Sequence, residues 1–229
     1  MTAMWIKICG MTTPEAVNAA LDARVDAIGF VFAESVRRLA PEAAARLAAP
    51  ARGRLACVAV TRHPSQQALD EILEVFRPDV LQTDAVDLTT LQVPAQLPRL
   101  PVLRGVPASG SVPARLLFEG LASGTGKTCD WSGARQLAGR TQLILAGGLR
   151  ADNVAAAIAE VQPFGVDVSS GVESRPGIKS PAEIARFAHA ARAASAIAQG
   201  STHASNGEPA RANPGSTLSG QTPAQGEKS

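Results

Sequence analysis

The first apolar run of the chain, Trp5-Ile6-Lys7-Ile8-Cys9, ends in a thiol followed by a glycine, Gly10. Read as a strand, it alternates, so Trp5, Lys7 and Cys9 share one face while Ile6 and Ile8 share the other. If the isoleucines meet a helical layer, Lys7 and Cys9 point into an interior and Cys9 stands at its upper edge. A thiol beside an ammonium group can have a lowered pKa and act as base or nucleophile. The alternative is a small buried hydrophobe, which is also the reading for Cys57. A second reactive group, Asp130, closes the run Gly124-Thr125-Gly126-Lys127-Thr128-Cys129 and precedes Trp131. A carboxyl partly desolvated by an indole has a raised pKa and suits a general acid. It can equally cap the helix that begins there.

Two more runs suit an anion. Ala146-Gly147-Gly148-Leu149 and Asp167-Val168-Ser169-Ser170-Gly171-Val172-Glu173 each follow an apolar strand-like segment. Backbone N–H groups of adjacent Gly and Ser can cradle a phosphate dianion. Two such loops in succession point to a sugar phosphate. In Ser35-Val36-Arg37-Arg38 a guanidinium could grip a carboxylate bidentately, or the run is a solvated basic turn. Gly126-Lys127-Thr128 imitates a nucleotide P-loop, but Leu121 stands where its first glycine belongs. His63 reads as a surface residue.

These residues need a frame that collects strand ends. Short β-branched runs at 5–9, 27–32, 54–60, 80–83, 102–106, 115–119, 142–146 and 165–169 read as strands. Helices are expected at 14–23, 41–49, 65–77, 132–138, 151–160 and 180–196, several opened by proline in the first turn. This alternating series predicts an α/β fold, a (βα)8 TIM barrel, with an open doubly wound sheet as runner-up. Residues 107–114 hold too much Pro, Ser and Gly for a helix, so a loop replaces the helix between strands five and six; 84–98 offers only a weak one. The barrel domain is expected over 1–197, with 198–229 a low-complexity, disordered tail.

Composition narrows the partners. With 22 basic and 20 acidic residues, 3% aromatics and no tyrosine, neither a nucleic-acid surface nor a base-stacking platform is indicated. The three cysteines lie far apart and without zinc spacing, so no metal site or disulfide framework is expected. No secretory leader or membrane span is evident. A reduced, cytoplasmic protein with a small-molecule substrate is the simplest expectation, as monomer or homodimer.

Taken together, Lys7-Ile8-Cys9-Gly10-Met11-Thr12, Gly124-Thr125-Gly126 with Cys129-Asp130-Trp131, Leu145-Ala146-Gly147-Gly148-Leu149, and Gly165-Val166-Asp167-Val168-Ser169-Ser170-Gly171-Val172-Glu173 with Pro176-Gly177-Ile178-Lys179 resemble the phosphoribosylanthranilate isomerase family. The resemblance covers about residues 4–195. It implies a cofactor-independent Amadori rearrangement in tryptophan biosynthesis, with Cys9 as general base and Asp130 as general acid. It also implies Gly147, Gly148, Asp167, Ser169, Ser170 and Gly171 in substrate binding. Arg37, in place of the family's Ser-Pro-Arg arginine, becomes the carboxylate ligand, with Arg38 its rival. Cys129 stands where the family has an aromatic, and Gln82-Thr83-Asp84 where many members have Gln-Leu-His-Gly. The nearer alternative is the histidine-pathway isomerase, whose relatives use two aspartates; the other is a non-catalytic ligand-binding barrel.

Overall fold

A computed structural model describes residues 4–107, 111–120 and 131–204 of the chain. Eight parallel strands close on themselves in sequence order: β1 (Trp5–Cys9), β2 (Ala27–Val31), β3 (Ala56–Val60), β4 (Val80–Asp84), β5 (Arg99–Leu103), β6 (Arg115–Phe118), β7 (Gln142–Leu145) and β8 (Gly165–Val168). Pairing of Trp5 with Gly165 through Ile8 with Val168 seals the barrel and removes the open sheet as an alternative. The helices are α1 (Pro14–Asp22), α2 (Pro41–Ala48), α3 (Gln66–Val75), α4 (Trp131–Ala138), α5 (Val154–Val161) and α6 (Pro181–Ala204).

Local chemistry explains these boundaries. Thr13 caps α1 through its hydroxyl to the Ala16 N–H at 3.3 Å, with Pro14 in the first turn, and Ala16, Val17, Ala20 and Leu21 form the buried stripe. The helix expected from residue 151 starts at Val154 because Asn153 folds back instead. Its amide donates to the Gly148 carbonyl at 2.9 Å and its Oδ1 accepts from the Arg150 N–H at 2.8 Å. The alanine-rich stretch after Ala190 carries α6 to Ala204, past the end expected at 196, as alanine's helix propensity favours.

Strand five needs correction. It was expected at 102–106 on its β-branched residues, but it runs from Arg99 to Leu103 and includes Pro101. Proline is tolerated there because register with β6 begins only at Val102. Among the described residues no α-helix lies between β4 and β6; a 3-10 turn at Asp87–Thr89 is all that remains of the weak fourth helix. A groove of ≈ 780 Å³ lies beside β5, lined by Ala85, Leu88, Pro98, Pro101, Pro113 and Ala114 among others. Two further short strands, β9 (Glu173–Arg175) and β10 (Ile178–Lys179), form an antiparallel hairpin after β8 that sequence periodicity did not reveal.

The core has two parts. Ile6, Ile8, Phe30, Leu81 and Val166 join the helices in the outer sleeve. Leu100, Val102, Leu117, Ile144 and Ala146, with Trp5, Val80 and Phe164 packed against them, fill the barrel interior. The strand parities follow: Trp5, Lys7 and Cys9 face inward, as do Val80, Gln82 and Asp84 on β4. Apolar layers therefore plug the barrel low down, and polar residues occupy its upper end.

Candidate active site

Midway along β1, below Cys9, Lys7 is fully buried and its ammonium donates to Asp167 Oδ1 at 2.9 Å. Gly29 of β2 makes room for the neighbouring thiol: a methyl group there would lie 3.1 Å from Cys9 Sγ and 3.2 Å from Lys7 Nζ. Cys9 and Lys7 thus converge over one missing side chain. Burial alone would push the Lys7 ammonium down, but attraction to Asp167, with Cys9 beside it, holds it above its ordinary value. Burial also raises the Asp167 carboxyl, against the pull of Lys7.

The lowered thiol pKa expected from Lys7's proximity is not found. Burial outweighs the ammonium and the Cys9 thiol is raised. Asp167 adds to the effect of burial, since it already engages Lys7 and its own charge opposes a thiolate. Sequence adjacency correctly supplied the cation and said nothing of its counter-ion on β8.

Arg37 reaches the same place from the β2–α2 loop. Its stem crosses Gly10, where φ is +82° and an added Cβ would stand 2.5 Å from Arg37 Cδ. Nε and Nη2 both donate to Glu173, at 2.6 and 2.8 Å. The guanidinium is therefore not the free fork that the sequence suggested; the side bearing Nη1 remains for a ligand. Arg38 is exposed. Glu173 also accepts from Lys179 at 2.8 Å, and the two cations hold its carboxyl below the usual range although burial acts the other way. Lys179, fully buried, donates as well to the Ser169 carbonyl at 3.0 Å, and burial lowers its pKa against Glu173.

The two glycine-rich loops meet backbone to backbone. Gly147 and Gly148 both have positive φ, +94° and +65°. A Cβ on Gly171 would lie 1.9 Å from the Leu149 carbonyl oxygen, so only glycine permits this approach. Among the described residues the N–H groups of Gly147, Gly148, Ser170 and Gly171 have no hydrogen-bond partner within the protein. They are donors available to an anion. The Ser169 hydroxyl, in contrast, donates to the Cys9 carbonyl at 3.0 Å and ties β8 to β1. Asp167 lies beneath this loop, 7% exposed and facing the barrel interior rather than the mouth. Asp130, Cys129 and the Gly124–Thr128 run lie outside the described residues.

Across the mouth is a cluster that sequence reasoning missed. Arg104, just beyond β5, donates to Asp84 at 2.8 Å and to Glu119 at 2.9 Å. His63 is mostly exposed, as expected, yet its Nδ1 lies 2.7 Å from Asp87 Oδ1 and its Nε2 3.4 Å from Asp84. Following the inward parity to the end of β4 and one step past β5 and β6 would have found Asp84, Arg104 and Glu119. Glu173 and Lys179 stood in quoted motifs but had no role assigned.

Residues 6–190 match the family described as N-(5'-phosphoribosyl)anthranilate (PRA) isomerase. The chain belongs to the phosphoribosylanthranilate isomerase family. A family relative from Rhizobium etli (strain CIAT 652) is 41% identical over 211 residues, covering 83% of this chain and 95% of its own. Among solved structures, one from Jonesia denitrificans is 37% identical with a TM-score of 0.67, covering 84% of this chain and 98% of its own. A phosphoribosylanthranilate isomerase in complex with reduced 1-(o-carboxyphenylamino)-1-deoxyribulose 5-phosphate is 25% identical with a TM-score of 0.66, covering 83% and 99%. Within the described residues no helix is long and apolar enough to cross a membrane, and no His, Cys, Asp and Glu cluster could hold a metal ion.

Proposed function

We propose that this chain converts N-(5-phosphoribosyl)anthranilate to 1-(2-carboxyphenylamino)-1-deoxyribulose 5-phosphate, an intramolecular aldose–ketose isomerisation serving tryptophan biosynthesis. One observation carries the reading: the strand end that bears the buried Cys9 is tied through its carbonyl to Ser169 at the start of the Ser169–Gly171 loop, and Arg37 crosses the adjacent Gly10. A base, a carboxylate-binding cation and a phosphate cradle then surround one small substrate. The N–H groups of Gly147, Gly148, Ser170 and Gly171 take the phosphate, and the open side of Arg37 takes the anthranilate carboxylate. Fixing both ends positions the reacting carbon at Cys9.

In this scheme Asp130, as the acid, protonates the furanose ring oxygen, and the ring opens to a protonated Schiff base. Cys9, as thiolate, takes the proton from the second carbon. The enolamine then gains a proton at the first carbon and loses one from the second-carbon hydroxyl, giving the ketone. Atoms are conserved, and the proton passed from acid to base returns through solvent before the next turnover. The positive Schiff base favours a thiolate next to it, which offsets part of the burial penalty on Cys9. No cofactor enters the scheme. A cytoplasmic location and a monomeric or homodimeric state fit a small metabolic enzyme.

The test is loss of phosphoribosylanthranilate fluorescence, corrected for anthranilate release. Cys9→Ser and Asp130→Asn should each fold and lose at least about 100-fold in kcat. Near-normal turnover in either variant removes that residue from the scheme.

A further inference from the structure

The buried ion pair under the thiol has no place in a two-residue acid–base scheme. Lys7 is fully buried on β1 and Asp167 almost so on β8, and both face the barrel interior below Cys9. Placing two charges there is expensive, and an apolar pair of similar volume would serve packing as well or better. Their geometry shows what they are near. The Lys7 ammonium is 2.9 Å from Asp167, and it meets Cys9 Sγ across the space left by Gly29. Any side chain larger than hydrogen at residue 29 would enter that space. The pair is thus not sealed from the thiol but opens onto it.

We propose that Lys7 is a positioning residue of this enzyme, its ammonium shared between Cys9 and Asp167 so that the pair sets how much of Cys9 is thiolate. Lys7 stabilises the sulfur anion, and Asp167 opposes it by drawing the ammonium to itself and by its own negative charge. The thiol proton leaves to solvent, the thiolate next accepts the proton from the substrate carbon, and Lys7 stays protonated throughout. Other charges face the same sulfur and are weaker influences: Lys179 from β10 and Arg37 from the β2–α2 loop, which share the single carboxylate of Glu173. Glu119, at the top of β6, acts on Asp167 rather than on Cys9. This inference rests on Cys9 being the base only for its catalytic consequence; the electrostatic claim stands apart from turnover.

The experiment follows alkylation of Cys9 by iodoacetamide from pH 6 to 10 in the ligand-free full-length protein, read on the peptide that contains it. Cys57, fully buried with its thiol pushed up to about 11, is the internal reference. Lys7→Met should slow Cys9 alkylation at pH 7.5 by about tenfold or more, the effect of one pKa unit. Asp167→Asn should speed it, because the ammonium then falls wholly to the sulfur. Loosened packing would speed both variants, so the opposite signs are what a structural role cannot mimic. An unchanged rate in Lys7→Met, or movement of both variants in one direction, overturns the proposal. If Lys7→Met does not fold, the double variant K7M/D167N removes the unpaired charge; slower alkylation there supports the proposal and a wild-type rate overturns it. Turnover separates the two claims: an active Cys9→Ser with opposite alkylation shifts refutes the base and keeps the pair. An inactive Cys9→Ser with no shifts keeps the base and refutes the pair.

Discussion

On the β8–β1–β2 side of the mouth, the side chains of Lys7 and Lys179 have no solvent exposure, and Asp167 and Glu173 match them within 2.9 Å. On the β3–β6 side the basic side chains stay wetter: those of Arg62 and His63 are 56% and 57% exposed, and that of Arg104 is 22% exposed. Both sides alternate acid and base, so sign alone does not distinguish them. Dielectric does. A charge pair shielded from water holds its geometry and acts strongly on a neighbour, while one in water is weakened by competing hydration. The first half can therefore preset a thiol and a guanidinium; the second half can tolerate rearrangement. Glycines enforce the difference. Gly10, Gly29 and Gly171 each stand where a side chain would strike Arg37, Cys9 or the Leu149 carbonyl.

The largest effect expected from breaking this contrast is at Glu173. Glu173→Gln leaves Lys179 buried without a counter-ion and frees Arg37, and should destabilise the fold by roughly 3 kcal/mol. Chemical unfolding measures it; a loss below about 1 kcal/mol would place this pair with the solvated half. The same residue fixes an acid limb. Its folded carboxyl is held below the ordinary value, so the unfolded chain binds the proton more readily once pH falls under about 4.3. Stability from Glu173 is complete above that pH and is lost as pH descends through the folded value. The Gln variant should show a shallower decline between pH 5 and 3.

Next comes Gly171→Ala. The added carbon meets backbone, which cannot swing aside, so the loops after β7 and β8 must separate. A destabilisation of about 1–3 kcal/mol is expected, as for overpacking elsewhere. KM should rise while kcat changes less, because the anion donors move and the thiol does not. A KM equal to that of the parent would mean the loops do not hold the phosphate.

Sequence made the preorganised half readable for a physical reason. Its work is done by backbone approach, which demands glycine, and by residues at strand ends of fixed parity, so Cys9, Gly147, Gly148 and Gly171 stood out before any fold was known. What escaped was pairing across the chain. Lys7 meets Asp167 and Arg37 meets Glu173 at separations of 160 and 136 residues, which no local period encodes. The barrel itself followed from alternation of strands and helices. Strand β5 was shifted because its β-branched residues lie late in the run, whereas pairing with β4 already begins at Arg99. The Asp84–Arg104–Glu119 cluster escaped for the opposite reason: three ordinary charged residues on three strand ends carry no motif.

The smallest expected effect asks whether the halves are independent. Arg104 pairs with Glu119, and among the described residues Glu119 is a far-side charge that raises Asp167. Replacing Arg104 with Met should cost about 1 kcal/mol or less in stability, since its partners keep contact with water. It also removes one positive charge beside Glu119, so that carboxylate acts more strongly on the buried pair. Asp167 then favours its protonated form and competes less for Lys7, which favours the thiolate. The effect reaches Cys9 only through that pair, so Cys9 alkylation should rise by less than about threefold, and less again in 0.5 M salt, where the Debye length has shrunk to a few ångströms. The R104M and D167N changes measured singly and together decide the matter. If the pair of changes adds within about 0.5 kcal/mol, the two sides of the mouth are separate electrostatic units. A larger coupling would make the wet cluster part of the device that sets the thiol, and the division drawn between the halves would fail.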